Sequence, residues 1–133
     1  MSRKEARIWA MKLVYQMEIN KDFDVKTLND FLDYHDIQGN GREYIFRVVS
    51  SIIENKENID DKIKEYIYGW TFDRLAKIDL SILRIAITEI DSFDDVPSSV
   101  SINEAVEIAK EYSTQDAYKF VNGVLGSYVR KSK

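Results

Sequence analysis

Apolar residues recur at helical spacing along almost the whole chain, and this periodicity limits the fold more than any other feature. It is densest between Asp79 and Asp91, where nearly half of a helical wheel is apolar: Leu80, Ile82, Leu83, Ala86, Ile87 and Ile90. The 133 residues contain one proline and five glycines, which leaves little room for the many turns of an all-β sandwich. The sequence therefore predicts an all-α fold with this segment as its central helix.

Helix signals elsewhere predict about seven helices in total. Ser2 and Glu5 match the Ser-x-x-Glu capping box, which predicts that the first helix begins there. Ser101 and Glu104 repeat the pattern near the C-terminal end. The other predicted helices cover about 25–34, 42–55, 58–68, 79–91 and 114–130, with a loop at 39–41. No linker divides the chain, so we expect a single domain, residues 1–133, in which two small helical bundles can share one core.

Composition excludes several classes of protein. The formal net charge of -4 argues against a protein that coats nucleic acid by bulk charge. A local basic patch is still compatible with it, because charges act within a Debye length. The absence of cysteine excludes disulfides and cysteine-ligated metals. No apolar run approaches the roughly 20 residues of a membrane span, and the first residues do not read as a signal peptide. These features predict a cytoplasmic protein with no membrane contact.

Signals for an enzyme are weak. His35 is the single histidine and lies between Tyr34 and Asp36, and a zinc site needs three or four protein ligands. The sequence contains no nucleophile–histidine–acid set with evident orientation, and no glycine-rich phosphate loop follows a strand. We therefore predict no catalytic residue, no metal site and no cofactor.

The first helix carries a basic segment formed by Arg3, Lys4 and Arg7. Exposed backbone N–H groups at a helix N-terminus favour an anion, so basic residues there are typical of a phosphate-binding surface. The alternative is a solvated basic face that Glu5 partly neutralises, and the residues alone leave both interpretations open.

The last helix has an unusual side on which Lys119, Asn122, Gly123 and Gly126 cluster. Lys119 can pair with phosphate and Asn122 can bond a base edge or a phosphate. Phe120, at the border of the apolar arc, can stack on an unpaired base. The alternative is close helix packing at the glycines, with Asn122 bonded to a neighbouring loop.

Other candidate residues also have two interpretations. Tyr66, Tyr68 and Trp70 form an aromatic cluster that can stack on bases, although the edge of the core is the default for Trp70. Asp79 caps the central helix or receives a partner's basic group. Arg84, on the same helix, is expected to pair internally, for example with Glu104 or Glu107.

The first helix has a second apolar strip on a different side from its main core face. The strip consists of Ile8, Met11, Tyr15 and Ile19. A helix with two apolar sides is either deeply buried or in contact with a partner. The strip around Tyr15 therefore predicts either burial or a protein contact, a homodimer included.

Several ordered motifs give the chain a family resemblance over nearly its full length. They are Arg3-x-x-Ala6-Arg7 through Leu13-Val14-Tyr15-Gln16, Asp79-x-x-Ile82-Leu83-Arg84-Ile85-Ala86-x-x-Glu89, Val96-Pro97, Ile102-Asn103-Glu104-Ala105-Val106-x-x-Ala109-Lys110 and Phe120-Val121-Asn122-Gly123-Val124-Leu125. With these motifs in this order, the chain resembles the NusB family of bacterial transcription antitermination factors.

The resemblance implies an all-helical fold of two small subdomains without catalysis. It implies binding of the single-stranded boxA element of ribosomal RNA leader transcripts together with NusE, a ribosomal protein, in the antitermination complex of RNA polymerase. The RNA-facing residues of the family fall here on Arg3, Lys4, Arg7, Tyr66, Lys119 and Phe120, and the NusE-facing residues fall on Tyr15 and Asp79. The chain departs from the family pattern at Glu5, which interrupts the basic segment, and at Gly126, where an acid or amide often stands.

Two alternatives remain at this stage. The same fold resembles the N-terminal RNA-binding part of a ribosomal RNA cytosine methyltransferase, although a chain ending at Lys133 is expected to lack a cofactor-binding α/β domain. The other alternative is a helical module that binds only proteins, through the strip around Tyr15.

Overall fold

The computed structural model describes residues 1–132, so Lys133 of the predicted domain lies outside the described residues. Over that range the chain forms six α-helices, one short 3₁₀ helix and no strand. The helices are α1 (Arg3–Asn20), α2 (Val25–Tyr34), α3 (Gly39–Tyr66), α4 (Lys77–Ser92), α5 (Ser98–Tyr112) and α6 (Ala117–Ser132), and the 3₁₀ helix is Phe72–Arg74. The all-α prediction is confirmed, with six α-helices where about seven were expected.

The helix count differs because the third and fourth predicted helices follow each other across a kink and are counted together as α3. It bends at Asn55, whose backbone leaves helical geometry (φ -117°, ψ 18°). The Asn55 side-chain amide donates to the Ser51 carbonyl at 3.0 Å, a local bond of the kind that competes with regular helix geometry. The loop predicted at 39–41 is instead the first turn of α3, since Gln38 is already the N-cap.

The two predicted capping boxes have different outcomes. At α1 the box forms, because the Ser2 hydroxyl accepts from the Glu5 N–H at 3.1 Å and Glu5 accepts from the Ser2 N–H at 3.1 Å. At α5 the prediction is wrong, because the helix begins earlier, at Ser98, with Pro97 as its N-cap. Ser101 lies inside the helix and its hydroxyl donates to the buried Glu89 at 3.0 Å.

Helix α4 is the centre of the fold, as its apolar pattern predicts. It packs against α1, α3, α5 and α6, and every residue from Asp79 to Ile90 is buried. Because α4 has no solvent-facing side over this stretch, its polar side chains must find partners inside the protein.

Arg84 shows how the central helix meets this requirement. Its guanidinium donates to both carboxylate oxygens of Asp60 on α3 at 2.9 Å and to Glu18 on α1 at 2.8 Å. The predicted pairing with Glu104 or Glu107 is wrong, because Arg84 faces α1 and α3. Burial alone would raise the pKa of Glu18, but hydrogen bonds from Lys21 and Arg84 lower it to about 2.

Candidate nucleic-acid interface

A groove of about 240 Å³ runs between the C-terminal end of α3 and the exposed side of α6. It brings together three residues predicted to face RNA, and Tyr66 lies more than fifty positions before the other two, Lys119 and Phe120. The full lining is Tyr66, Ile67, Tyr68, Trp70, Lys119, Phe120, Gly123, Val124 and Ser127. The groove therefore joins a cation to several aromatic rings on one surface.

The aromatic rings of the groove are held by contacts with one another. The Trp70 and Phe120 centroids are 5.1 Å apart, and Tyr66 packs edge-on against Tyr128 at 5.5 Å. Trp70 is 59% exposed, so the expectation that it forms the edge of the core is wrong. The exposed ring of Trp70 and the half-buried rings of Tyr66 and Phe120, held in place in this way, are suited to stacking on the face of an unpaired base.

Lys119 keeps its ammonium group largely in solvent. Its side chain is 66% exposed, and the nearest carboxylate, that of Asp116, is 3.6 Å away and also exposed. Pairs of this kind contribute at most about 1 kcal/mol and exchange readily with other anions. Lys119 is therefore available to an incoming phosphate.

The glycine side of α6 is open rather than packed. A Cβ atom added to Gly123 would meet nothing within 4 Å, and one added to Gly126 would meet only the Arg130 side chain, at 3.2 Å from Nη1. The alternative of close helix packing at these glycines is therefore wrong. Asn122 is exposed on the same helix, so this stretch of α6 presents glycine backbone and a polar side chain to solvent.

The basic segment of α1 is divided between surface and interior. Arg3 and Lys4 are exposed, whereas Arg7 is only 5% exposed. The sequence places Arg7 on the basic face, and the structure corrects this. Its Nε and Nη2 atoms bond both oxygens of Glu89 at 2.8 and 3.0 Å, and Nη1 lies 3.4 Å from Glu104.

Glu89 is the centre of this buried cluster. It accepts hydrogen bonds from Arg7, from the Tyr44 hydroxyl and from Ser101, so α1, α3, α4 and α5 meet at one carboxylate. Burial and the charge of Glu89 raise the pKa of Tyr44, so its hydroxyl keeps its proton and donates. Burial alone would lower the pKa of Arg7, but the bonds and charge of Glu89 raise it. The sequence signals for Glu89 are its place in a family motif and its position as an acid within the most apolar helix.

The predicted partner-facing residues differ in exposure. Tyr15 is 36% exposed and Asp79 is 8% exposed. Asp79 does not cap α4, whose N-cap is Ala76; instead it accepts from the Ser113 hydroxyl at 2.6 Å. Burial raises the pKa of Asp79, and the Ser113 bond offsets part of that rise. Asp79 lines a second cavity of about 300 Å³ beside Phe120 and Trp70.

The second apolar strip of α1 is partly buried and partly exposed to solvent. Met11 is buried at 1% exposure, whereas Ile19 is 54% exposed. Lys12, one turn before Tyr15, places its ammonium 5.6 Å from the Tyr112 ring, and Ser113 next to Tyr112 bonds Asp79. These contacts bring Lys12 and Asp79 to the same end of α5.

His35 has a packing role and is not part of the groove lining. Its ring contacts Trp9 at 4.7 Å and Phe31 at 4.4 Å between centroids. Within residues 1–132, no three histidine, aspartate or glutamate side chains gather as metal ligands.

Comparison with known proteins supplies the family. Residues 4–130 match the NusB family. The transcription antitermination protein NusB of Acetivibrio thermocellus is 46% identical over 130 residues, which cover 98% of this chain and 90% of the relative. The chain belongs to the NusB family. That family acts in transcription antitermination and is not a family of enzymes, which agrees with the absence of a predicted catalytic site.

Solved structures agree with the NusB fold. The T. maritima NusB structure superposes with a TM-score of 0.89 at 35% identity, covering 98% of this chain and 92% of that one. A chain from the crystal structure of antitermination factors NusB and NusE in complex with dsRNA gives a TM-score of 0.85 at 24% identity, covering 96% of each chain. The second likeness bears on the fold alone. Across residues 1–132 of this chain, no helix is both long and apolar enough to cross a membrane.

Proposed function

We propose that this NusB-family protein binds single-stranded boxA-type leader RNA together with NusE and so promotes transcription of ribosomal RNA operons. It would act in the cytoplasm as part of the RNA polymerase antitermination complex, with residues 1–133 as a single RNA-binding domain. The proposed RNA contacts are Arg3, Lys4, Tyr66, Lys119, Phe120 and Asn122, and the proposed NusE contacts are Tyr15 and Asp79.

The observation that carries the proposal is the shared groove of Tyr66, Lys119 and Phe120. A single strand exposes base faces that an A-form duplex hides, so aromatic rings beside an exposed cation suit a single strand. The bases would stack on Phe120 and Tyr66, and Lys119 would pair with the backbone between them.

Arg7 has a different part in this proposal. Its guanidinium already makes a bidentate pair with buried Glu89, and breaking that pair would leave a carboxylate unpaired inside the protein. We infer that Arg7 supports the RNA surface by holding α1 against α4, while Arg3 and Lys4 meet the strand.

The acidic charge of the chain favours a shared RNA site. With a net charge of -4, long-range attraction to RNA is weak and affinity depends on local contacts. NusE, bound on the strip around Tyr15, would supply the rest of the RNA-binding surface. NusE is therefore expected to tighten RNA binding rather than only accompany it.

The test is fluorescence anisotropy of labelled boxA RNA across a salt series, with and without NusE. We expect sequence-dependent binding that NusE strengthens and that Phe120→Ala weakens. Phe46→Ala is the matched control, because Phe46 is an exposed phenylalanine (42%) on α3 that is not part of the groove lining. Equal losses in both variants would contradict the groove as the RNA site.

The alternative is a protein-only module that uses the strip around Tyr15, as a homodimer or with another protein. Folded protein that binds no boxA RNA under either condition would favour this alternative. Native mass spectrometry of the same sample separates the homodimer from the monomer, and Tyr15→Ala should shift the mass only if the strip joins two copies.

A further inference from the structure

A second cationic cleft, of about 220 Å³, lies where the start of α1, the start of α3 and the end of α4 meet. Its lining is Arg3, Asn40, Glu43, Tyr44, Arg47 and Phe93. Of these residues, only Arg3 belongs to the predicted RNA surface. The cleft therefore adds an arginine, Arg47, to which no motif of the sequence points.

Both arginines of the cleft are held against aromatic rings. The Arg3 guanidinium carbon is 4.5 Å from the Tyr44 ring centroid, and that of Arg47 is 3.6 Å from the Phe93 centroid. The two rings pack edge-on against each other at 5.7 Å. Because stacking restricts each guanidinium before a ligand arrives, less side-chain freedom is lost when the ligand binds.

Arg47 has a further restraint and still faces solvent. Its Nη2 atom donates to the Ser92 carbonyl at 3.0 Å, yet its side chain is 53% exposed. A planar guanidinium bonded on one side and open on the other can present its remaining N–H groups to a phosphate.

The carboxylates near the cleft are compatible with the binding of an anion there. Glu43 lines the cleft, and Asp95 lies 4.0 Å from Arg47 with its side chain 71% exposed. Glu5 is engaged by Ser2 in the cap of α1, and Glu89 is occupied by its buried donors. An exposed pair at 4.0 Å is weak, so a phosphate can replace Asp95 at Arg47.

A chain of contacts links this cleft with the α6 groove. Tyr66 of the groove packs on Tyr128, whose hydroxyl bonds both oxygens of Asp91 at 2.7 Å. Ser92, the next residue, is the one whose carbonyl holds Arg47. The end of α4 therefore joins the two surfaces.

We propose that Arg3 and Arg47 form a clamp for a phosphodiester group of the same RNA strand that occupies the α6 groove. The inference rests on the proposed function and extends it by a second, base-independent contact. Bases would stack in the groove, and the clamp would hold the backbone of the flanking nucleotides, so its contribution should not depend on sequence.

The experiment compares Arg47→Gln with Arg42→Gln by anisotropy of labelled boxA RNA with NusE across a salt series. Arg42 is a matched control on the same helix, because its guanidinium is already bonded to Asp33 and the Ile37 carbonyl. We expect Arg47→Gln to weaken binding roughly 3- to 10-fold and to lower the salt slope by about 0.7, the value for one phosphate contact on a single strand. Arg42→Gln should change neither.

Two further measurements sharpen the result. Asp95→Asn removes the competing acid and should tighten binding at low salt. An RNA shortened to the bases stacked in the groove should bind wild type and Arg47→Gln equally, because it no longer reaches the clamp. Thermal midpoints within a few degrees of wild type establish that each variant is folded.

The outcomes separate the two proposals. If wild type binds boxA RNA and Lys119→Gln weakens it while Arg47→Gln does not, the clamp is overturned and the proposed function stands. If wild type binds no RNA with or without NusE, both are overturned. Equal losses for Arg47→Gln and Arg42→Gln would also overturn the clamp, because they would show a general charge effect.

Discussion

Three cations of this chain carry the same charge in different environments. Arg7 and Arg84 lie in the interior, and Lys119 lies at the surface. Both arginines are buried, and each is bonded to both oxygens of a carboxylate from a different helix. Lys119 is two-thirds exposed and has only a weak surface partner. The sequence presents all three as cations on helices that also carry apolar faces, and it predicts an internal partner for Arg84 alone.

The difference shows that burial decides the role of a cation in this fold. A buried guanidinium with a bidentate partner joins helices and is costly to remove, because its partner would be left charged without a counterion. An exposed ammonium contributes little to stability and can exchange its partner for a phosphate. Stability and RNA binding should therefore respond to different residues, and five experiments test this separation.

The largest expected effect comes from Arg84→Met, which leaves Glu18 and Asp60 buried without their shared partner. We expect a loss of about 3–5 kcal/mol in the free energy of unfolding, measured by urea denaturation followed by circular dichroism. RNA affinity per folded molecule should be unchanged. A loss below 1 kcal/mol would show that the buried pair is not structural.

The pH dependence of stability should report the same ion-pair network, because acid protonates Glu18. Its folded pKa of about 2 lies below its ordinary value of 4.5, so its stabilisation is complete above pH 4.5 and is lost as the pH falls toward 2. The stability difference between wild type and Glu18→Gln should thus fall by about 3 kcal/mol between pH 5 and pH 2. Urea unfolding across this pH range measures it, and a constant difference would refute the assignment.

Arg7→Gln tests whether the α1 arginine belongs with the buried or the exposed cations. We expect a loss of about 2–3 kcal/mol in unfolding free energy, since Glu89 loses its bidentate partner. The salt slope of RNA binding should stay at the wild-type value. A slope lowered by about 0.7 in a fully folded variant would place Arg7 in contact with phosphate.

Phe120→Ala should mainly weaken RNA binding, whereas the arginine variants should mainly lower the free energy of unfolding. Loss of a stacked ring should weaken RNA binding by about 1.5 kcal/mol with an unchanged salt slope, because stacking involves no counterion. Anisotropy with NusE present measures the effect. The half-buried ring of Phe120 also packs on Trp70, so a modest loss of stability is expected and should be smaller than for Arg7→Gln.

Lys119→Gln is expected to have the smallest effect and to be specific to binding. The salt slope should fall by about 0.7 and the free energy of unfolding should stay within about 0.5 kcal/mol of wild type. Lys26→Gln, which removes an exposed lysine paired with Asp30 on α2, is the matched control. An unchanged salt slope for Lys119→Gln would show that Lys119 does not contact the RNA.

Local sequence signals determined much of the fold. The apolar run from Leu80 to Ile90 identified the buried central helix, and Ser2 with Glu5 identified the start of α1. These predictions succeed because they depend on helical spacing and on bonds between residues within one turn. The same local logic fails at Ser101, because a carboxylate twelve residues earlier in the chain, Glu89, takes its hydroxyl.

The family resemblance likewise pointed to Tyr66, Lys119 and Phe120 one by one. That they share a groove depends on the way α6 packs beside the end of α3. The open glycine side of α6 is also a tertiary fact, because glycine in a sequence is equally compatible with close packing and with an exposed surface.

The sequence by itself determined that this chain is all helical, where most of its helices lie and which family it resembles. Only the tertiary structure decided which cations are buried and which face solvent. Arg7 meets Glu89 across 82 positions and Arg84 meets Asp60 across 24, so no local pattern records either pair. The physical reason is that a charge becomes structural only when packing removes it from water and supplies its counterion, and both conditions depend on residues distant in the chain.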